Sequence, residues 1–65
     1  IYNLTSKELM VLNLLAEGNS NLEIAKKLNI SVNTTKVHVC SILQKLSVDD
    51  RTQAAVKALK ENITG

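Results

Sequence analysis

Phenylalanine and tryptophan are missing from this chain, and Tyr2 is its one aromatic residue. Its interior must therefore be built from Leu, Ile, Val and Ala. Proline is absent too, and glycine stands only at positions 18 and 65. A lone cysteine excludes an internal disulfide, and one Cys with one His makes no structural zinc site. No apolar run approaches the ~20 residues that cross a bilayer. No basic-then-apolar leader opens the chain either. With a single thiol, the expected compartment is a reducing cytoplasm. Neither a nucleophile–base pair, a phosphate loop nor a metal cluster can be assembled from what is there. The expectation is a protein that is not an enzyme and holds no cofactor.

At 65 residues the chain allows one small domain, which buries only ~60% of the surface it exposes when unfolded. It begins at Ile1 rather than Met, which reads as a piece of a longer protein. The formal net charge is only +2, but the cations are unevenly placed. Between positions 19 and 46, Lys26, Lys27, Lys36 and Lys45 face a single acid, Glu23. Both flanking stretches are near balance. A basic middle is a first, weak hint of an anionic partner.

No alternating strand pattern appears, and four helical segments separate by their start signals. Thr5 with Glu8 reads as a capping box, with Leu4 and Leu9 as its hydrophobic staple. The first helix should run from about Ser6 to Glu17 and stop at Gly18. Ser20 with Glu23 is a second capping box, opening a short helix over about 21–28. Asn29 follows as a residue tolerant of positive φ. Ser31 caps a third helix over about 32–46, and 47–49 form a linker. Asp50 caps a fourth, with Gln53 in the capping-box position, continuing to about Asn62. The fold class predicted is all-α, a four-helix domain.

Residues 21–46 are the informative stretch: a short helix, a turn of about three residues, then a longer helix. Ala25, Asn29 and Thr35 stand at the offsets of a helix-turn-helix, with Ile24, Leu28 and Ile30 supplying apolar packing. An ordinary helical hairpin shares that pattern, but the short turn favours the DNA-binding form. Steps of 100° separate the faces of the third helix. Thr35, Val39, Ile42 and Leu46 form its core stripe, with Leu43 at the edge. The opposite arc holds Lys36, Val37, Cys40, Ser41 and Gln44, and no carboxylate. An acid there would repel phosphates, so this is the face a groove-entering helix requires.

Several short motifs stand at fixed spacing along the chain: Leu4-Thr5 with Glu8, Val11-Leu12, Ala16-Glu17-Gly18, and Asn21 with Glu23-Ile24-Ala25. Thr34, Lys36-Val37-His38-Val39, Lys45-Leu46 and Arg51-Thr52-Gln53-Ala54 complete them. Together, from Leu4 to about Leu59, they resemble the LuxR/NarL/GerE-type helix-turn-helix domain of bacterial transcription regulators. The resemblance implies a tetrahelical DNA-binding output domain acting on double-stranded DNA. It also implies an N-terminal receiver or ligand-sensing domain elsewhere in the parent protein, as in response regulators.

Carried over by position, the family's base-reading residues fall on Lys36, Val37 and Cys40. These lie on the same arc that helical periodicity turns outward. A lysine at 36 reaches guanine O6/N7 or a phosphate, and a solvent-facing valine at 37 suits a thymine methyl. Backbone-phosphate contacts are expected from Asn21 and Lys26 on the second helix and from Thr34 and Lys45 on the third. Free amides at the helix N-termini near Asn21 and Val32 add to these. The fourth helix carries an Ala54/Ala58 stripe for close packing and a second stripe of Thr52, Val56, Leu59 and Ile63. The resemblance implies that this helix pairs two copies across a two-fold axis on an inverted repeat, with Thr52, Val56 and Leu59 as the contacts.

Three positions depart from the family pattern. Cys40 stands where Lys or Arg is frequent, which points to a different site being read. Thr35 replaces Val and must satisfy its hydroxyl on a carbonyl one turn back. Met10 replaces Glu; with Leu9 it reads as core-edge packing, the alternative being a docking patch for the N-terminal part. His38 is a packing or phosphate-side residue, since a metal role lacks partner ligands. Cys40 is read as a small inert side chain, with oxidation sensing as the alternative. The competing reading of the whole domain is a protein-interaction module, for example one that docks RNA polymerase. The acid-free third helix argues against it.

Overall fold

The computed structural model describes residues 2–63, which form α1 (Ser6–Ala16), α2 (Asn21–Leu28), α3 (Val32–Leu46) and α4 (Arg51–Lys60). Each helix starts where a side-chain oxygen takes an orphan amide of the first turn. Thr5 and Glu8 form a reciprocal capping box, as do Ser20 and Glu23. Ser31 Oγ accepts from the Thr34 amide at 2.9 Å, and Asp50 Oδ1 from the Gln53 amide at 2.9 Å. The fourth cap departs from expectation in one detail. Gln53 Oε1 accepts from the Asp49 amide, not from that of Asp50.

All four helices end alike. The residue after each last turn takes a left-handed conformation: Gly18, Asn29, Ser47 and Asn62. The next amide then reaches back five residues: Asn19 to Leu14 O, Ile30 to Ala25 O, Val48 to Leu43 O and Ile63 to Ala58 O, each at 2.9–3.1 Å. That 6→1 bond satisfies a carbonyl the helix would otherwise leave open. Gly18 (φ +95) and Asn29 suit the role; Ser47 and Asn62 were not anticipated. The turn at Asn62 also corrects the fourth helix, which stops at Lys60. Ile63 folds back against the core instead of extending the outer stripe.

The core is aliphatic, as the composition requires. Val11, Leu12 and Leu15 of α1 meet Ile24 of α2, Val39, Ile42 and Leu46 of α3, and Ala54 and Ala58 of α4. The two alanines are fully buried, so α4 approaches α1 closely through a side of the helix with little bulk. Helix α3 touches all three others, whereas α2 packs on α3 and α1 but not on α4. A side chain links that last pair: Arg51 donates from Nη1 to Asn21 Oδ1 (2.6 Å) and from Nη2 to the Asn19 carbonyl (2.9 Å). Lys57 of α4 donates to the Leu46 carbonyl at 3.0 Å, placing a cation at the C-terminus of α3. No described helix is long and apolar enough to cross a membrane.

Candidate nucleic-acid interface

Helix α3 is anchored by one stripe and presents the opposite one. Thr35, Val39, Ile42 and Leu46 are buried, and Leu43 is half-buried. Thr35 brings a hydroxyl into this interior, and it donates to the Ser31 carbonyl at 3.1 Å. A buried hydroxyl with no partner would oppose folding; this bond removes the problem. On the far side Lys36, Val37, Cys40 and Gln44 are exposed. Val37 is 66% exposed, an aliphatic residue left in water on the outward face of α3. None of these four side chains is hydrogen-bonded to the rest of the domain among the described residues. They are free to meet something else.

The flank toward α1 is different. Ser41 and Lys45, expected among the DNA-facing residues, are both half-buried and bonded to Glu8 of α1. Lys45 Nζ lies 2.7 Å from Glu8 Oε1 and also donates to the Asn3 carbonyl at 3.2 Å. Ser41 Oγ donates to Glu8 Oε2 at 2.6 Å, and the Thr5 amide to Oε1 at 2.9 Å. Only 5% of Glu8 is exposed. The Lys45 ammonium, then the Ser41 hydroxyl and the Thr5 amide, favour its charged form and hold its pKa down at about 2. Three donors meet this carboxylate, two at Oε1 and one at Oε2, so it stays ionised inside the domain with the Lys45 ammonium balancing its charge.

The role of Glu8 beyond its cap was missed in the sequence, although a signal was there. Glu8 falls three, four and seven residues before Val11, Leu12 and Leu15, which places it on the inward face of α1. Arg51 was missed likewise, as its partners Asn19 and Asn21 lie about thirty residues away in sequence.

On α2, Asn21 is half-buried with its carbonyl oxygen held by Arg51, which leaves its amide NH2 to donate elsewhere. Lys26 is exposed. Lys27 donates to Asn19 Oδ1 at 2.8 Å. Thr34 is exposed at the first turn of α3, its Oγ1 accepting from Ser31 Oγ at 2.8 Å. The caps consume the third amide of each helix, Glu23 N and Thr34 N. The first two amides of α2 and α3 lie beyond reach of any helical carbonyl. His38 is half-buried at the border of the outer face, and Cys40 is a free, exposed cysteine.

Away from α3, Thr52, Val56 and Leu59 are exposed along α4, with Val56 at 48% and Leu59 at 66%. On α1, Leu9 and Met10 are exposed at 38% and 46%. Met10 is thus more solvated than core-edge packing predicts. Among the described residues no cluster of His, Cys, Asp and Glu could hold a metal ion.

Comparison with known proteins covers nearly the whole chain. The profile of the family described as "Bacterial regulatory proteins, luxR family" matches residues 2–58. The transcriptional regulatory protein LiaR of Bacillus subtilis is 49% identical over 61 residues, 94% of this chain and 29% of LiaR. The uncharacterized transcriptional regulatory protein YhcZ of the same organism is 53% identical over 64 residues, covering 98% of the chain and 30% of YhcZ. The response regulator protein VraR of Staphylococcus aureus is 48% identical over 60 residues, 92% of the chain and 29% of VraR. The chain therefore spans under a third of the length of these relatives.

Proposed function

The chain belongs to the luxR family of bacterial regulatory proteins, and from that premise we propose that it is the sequence-specific DNA-binding domain of a transcription regulator. Helix α3 lies in the major groove, with Lys36, Val37, Cys40 and Gln44 toward the base edges. One observation carries this reading: the outer stripe of α3 is free of carboxylates and of internal hydrogen bonds, yet exposes Val37. A solvated helix gains nothing from such a valine, whereas a thymine methyl gives it an apolar partner.

Asn21, Lys26 and Thr34 contact the sugar–phosphate backbone and set the register, while α3 reads sequence. Lys45 and Ser41 border the face from the Glu8 side. Cys40 in place of a longer cation shortens the reach of α3 in the middle of its stripe. That favours an apolar or water-mediated contact there.

Two copies pair through Thr52, Val56 and Leu59 of α4. Exposed apolar residues on a helix not used for reading are what such a two-fold contact needs. Half-sites then fall about 10 base pairs apart in an inverted repeat. The chain is read as the C-terminal output part of a longer cytoplasmic regulator, whose N-terminal receiver or sensor domain controls access to DNA. The name of VraR, a response regulator protein, supports a receiver.

Selection of bound duplexes from random DNA tests the proposal. A recurring half-site arranged as an inverted repeat is expected. Affinity should also fall with salt at a log–log slope near −0.9 per phosphate neutralised. Failure to enrich any sequence, together with salt-independent binding, would remove the DNA-reading assignment.

A further inference from the structure

Helix α3 carries two lysines, and the domain treats them differently. Lys36 is exposed and has no protein partner among the described residues. Lys45 is tied to Glu8 at 2.7 Å and to the Asn3 carbonyl at 3.2 Å, with only 32% of its side chain exposed. Ser41, one turn before Lys45 on the same edge, spends its proton on the other oxygen of the same carboxylate. We propose that Glu8 is a positioning residue of the DNA interface, withholding Lys45 and Ser41 from phosphate and leaving Lys36 as the one free lysine of α3. The inference rests on the reading of α3 as the helix that faces DNA.

The competition between Glu8 and a phosphate is unequal. A lysine that reaches a duplex phosphate gains mainly the release of a condensed counterion, about 5- to 10-fold in affinity near 0.1 M salt. Glu8 is surrounded by protein, and its cation leaving would strand a charge against the core of α1. Lys45 therefore stays where it is when DNA arrives. The result is a domain with less sequence-independent attraction than its lysine count suggests. Affinity depends more on the contacts of Lys36, Val37, Cys40 and Gln44 with bases. The same bonds fix one edge of α3 to α1, so the outer stripe keeps its rotation relative to the rest of the fold.

A Glu8→Gln variant of the chain separates this role from simple structural support. Glutamine keeps the length of the side chain and can still close the capping box, but it no longer neutralises Lys45. On a mixed-sequence duplex, Glu8→Gln is expected to bind about 5- to 10-fold more tightly near 0.1 M salt. Its log–log salt slope should steepen by about 0.9, the increment for one further phosphate contact. Adding Lys45→Met to Glu8→Gln should return both quantities to the parent values. A purely structural Glu8 would give the opposite sign, because a loosened α3 binds more weakly. Unchanged or weaker binding by a folded Glu8→Gln overturns the inference.

The side-chain ammonium NMR signals of the unaltered chain give a second reading that needs no folded variant. Addition of duplex should move Lys36 and leave Lys45 in place; equal movement of the two overturns the proposal. Should the unaltered chain bind no duplex at all, the DNA-reading function itself fails. Should it bind while Glu8→Gln gains nothing, only the role of Glu8 fails.

Discussion

Two polar stripes run along α3 one residue apart, and they meet opposite fates. Lys36, Cys40 and Gln44 stand exposed with no hydrogen bond to the domain among the described residues. The neighbouring stripe begins in solvent at Val37 and then turns inward, Ser41 and Lys45 both closing on Glu8. A helical step of about 100° separates the two. That rotation is enough to carry a lysine from open solvent to a contact with the adjacent helix. A polar residue on an outward arc is thus not by itself a ligand for DNA. What decides is whether a buried charge on the next helix already claims it.

The difference can be broken most sharply by removing the carboxylate. Glu8→Ala deletes a cap acceptor, two charge-assisted bonds and the tie between α1 and α3. It should destabilise the domain by about 2–4 kcal/mol in urea unfolding. Gln44→Ala, on the free stripe, should stay within about 0.5 kcal/mol of the parent. If the two changes cost the same, the contrast between the stripes is not energetic.

Binding should show the reverse ordering. Lys36→Ala is expected to leave urea unfolding unchanged, yet lose ~1–3 kcal/mol of affinity for a selected site and relax preference at one base position. Competition assays against single-base variants of that site would measure it.

Acid sharpens the contrast more gently. Glu8 has a folded-state pKa of about 2 against an ordinary value of 4.5. A carboxyl lowered by folding stabilises the fold fully above its unfolded pKa and loses that contribution as pH falls toward the folded one. Stability should therefore drain away between about pH 4.5 and 2. Glu8→Gln should flatten the profile in that window. Glu23, also lowered through the Ser20 amide and hydroxyl, will leave a residual slope on the exposed side of α2.

Much of the architecture was legible before any coordinates. The caps at Thr5, Ser20, Ser31 and Asp50 and the left-handed stops at Gly18 and Asn29 are local devices, read within a span of a few residues. The core stripe of α3 follows from periodicity alone, and so does the carbonyl one turn back that Thr35 requires. Less legible was the end of α4. Asn62-Ile63 carries the same signal as Asn29-Ile30, a residue tolerant of positive φ before an apolar one, but only the packing of Ile63 on the core shows that the chain turns there. The candidate site was half legible. Its free stripe follows from helical arithmetic, which puts Ser41 on the same arc; Lys45 was expected on phosphate through the family resemblance, and neither reading takes account of Glu8. Asn21 was singled out, but its orientation depends on Arg51, which comes from the start of α4.

Sequence alone determined an aliphatic four-helix domain, its helix starts, its buried stripes and an acid-free outer arc. These features arise between residues at most a turn or two apart, where backbone geometry leaves few choices. Tertiary structure decided which cations remain available. That choice depends on a carboxylate and a lysine far apart in the chain, brought to 2.7 Å only when α1 and α3 pack. Packing of this kind is set by the whole core at once, and no local pattern encodes the partner.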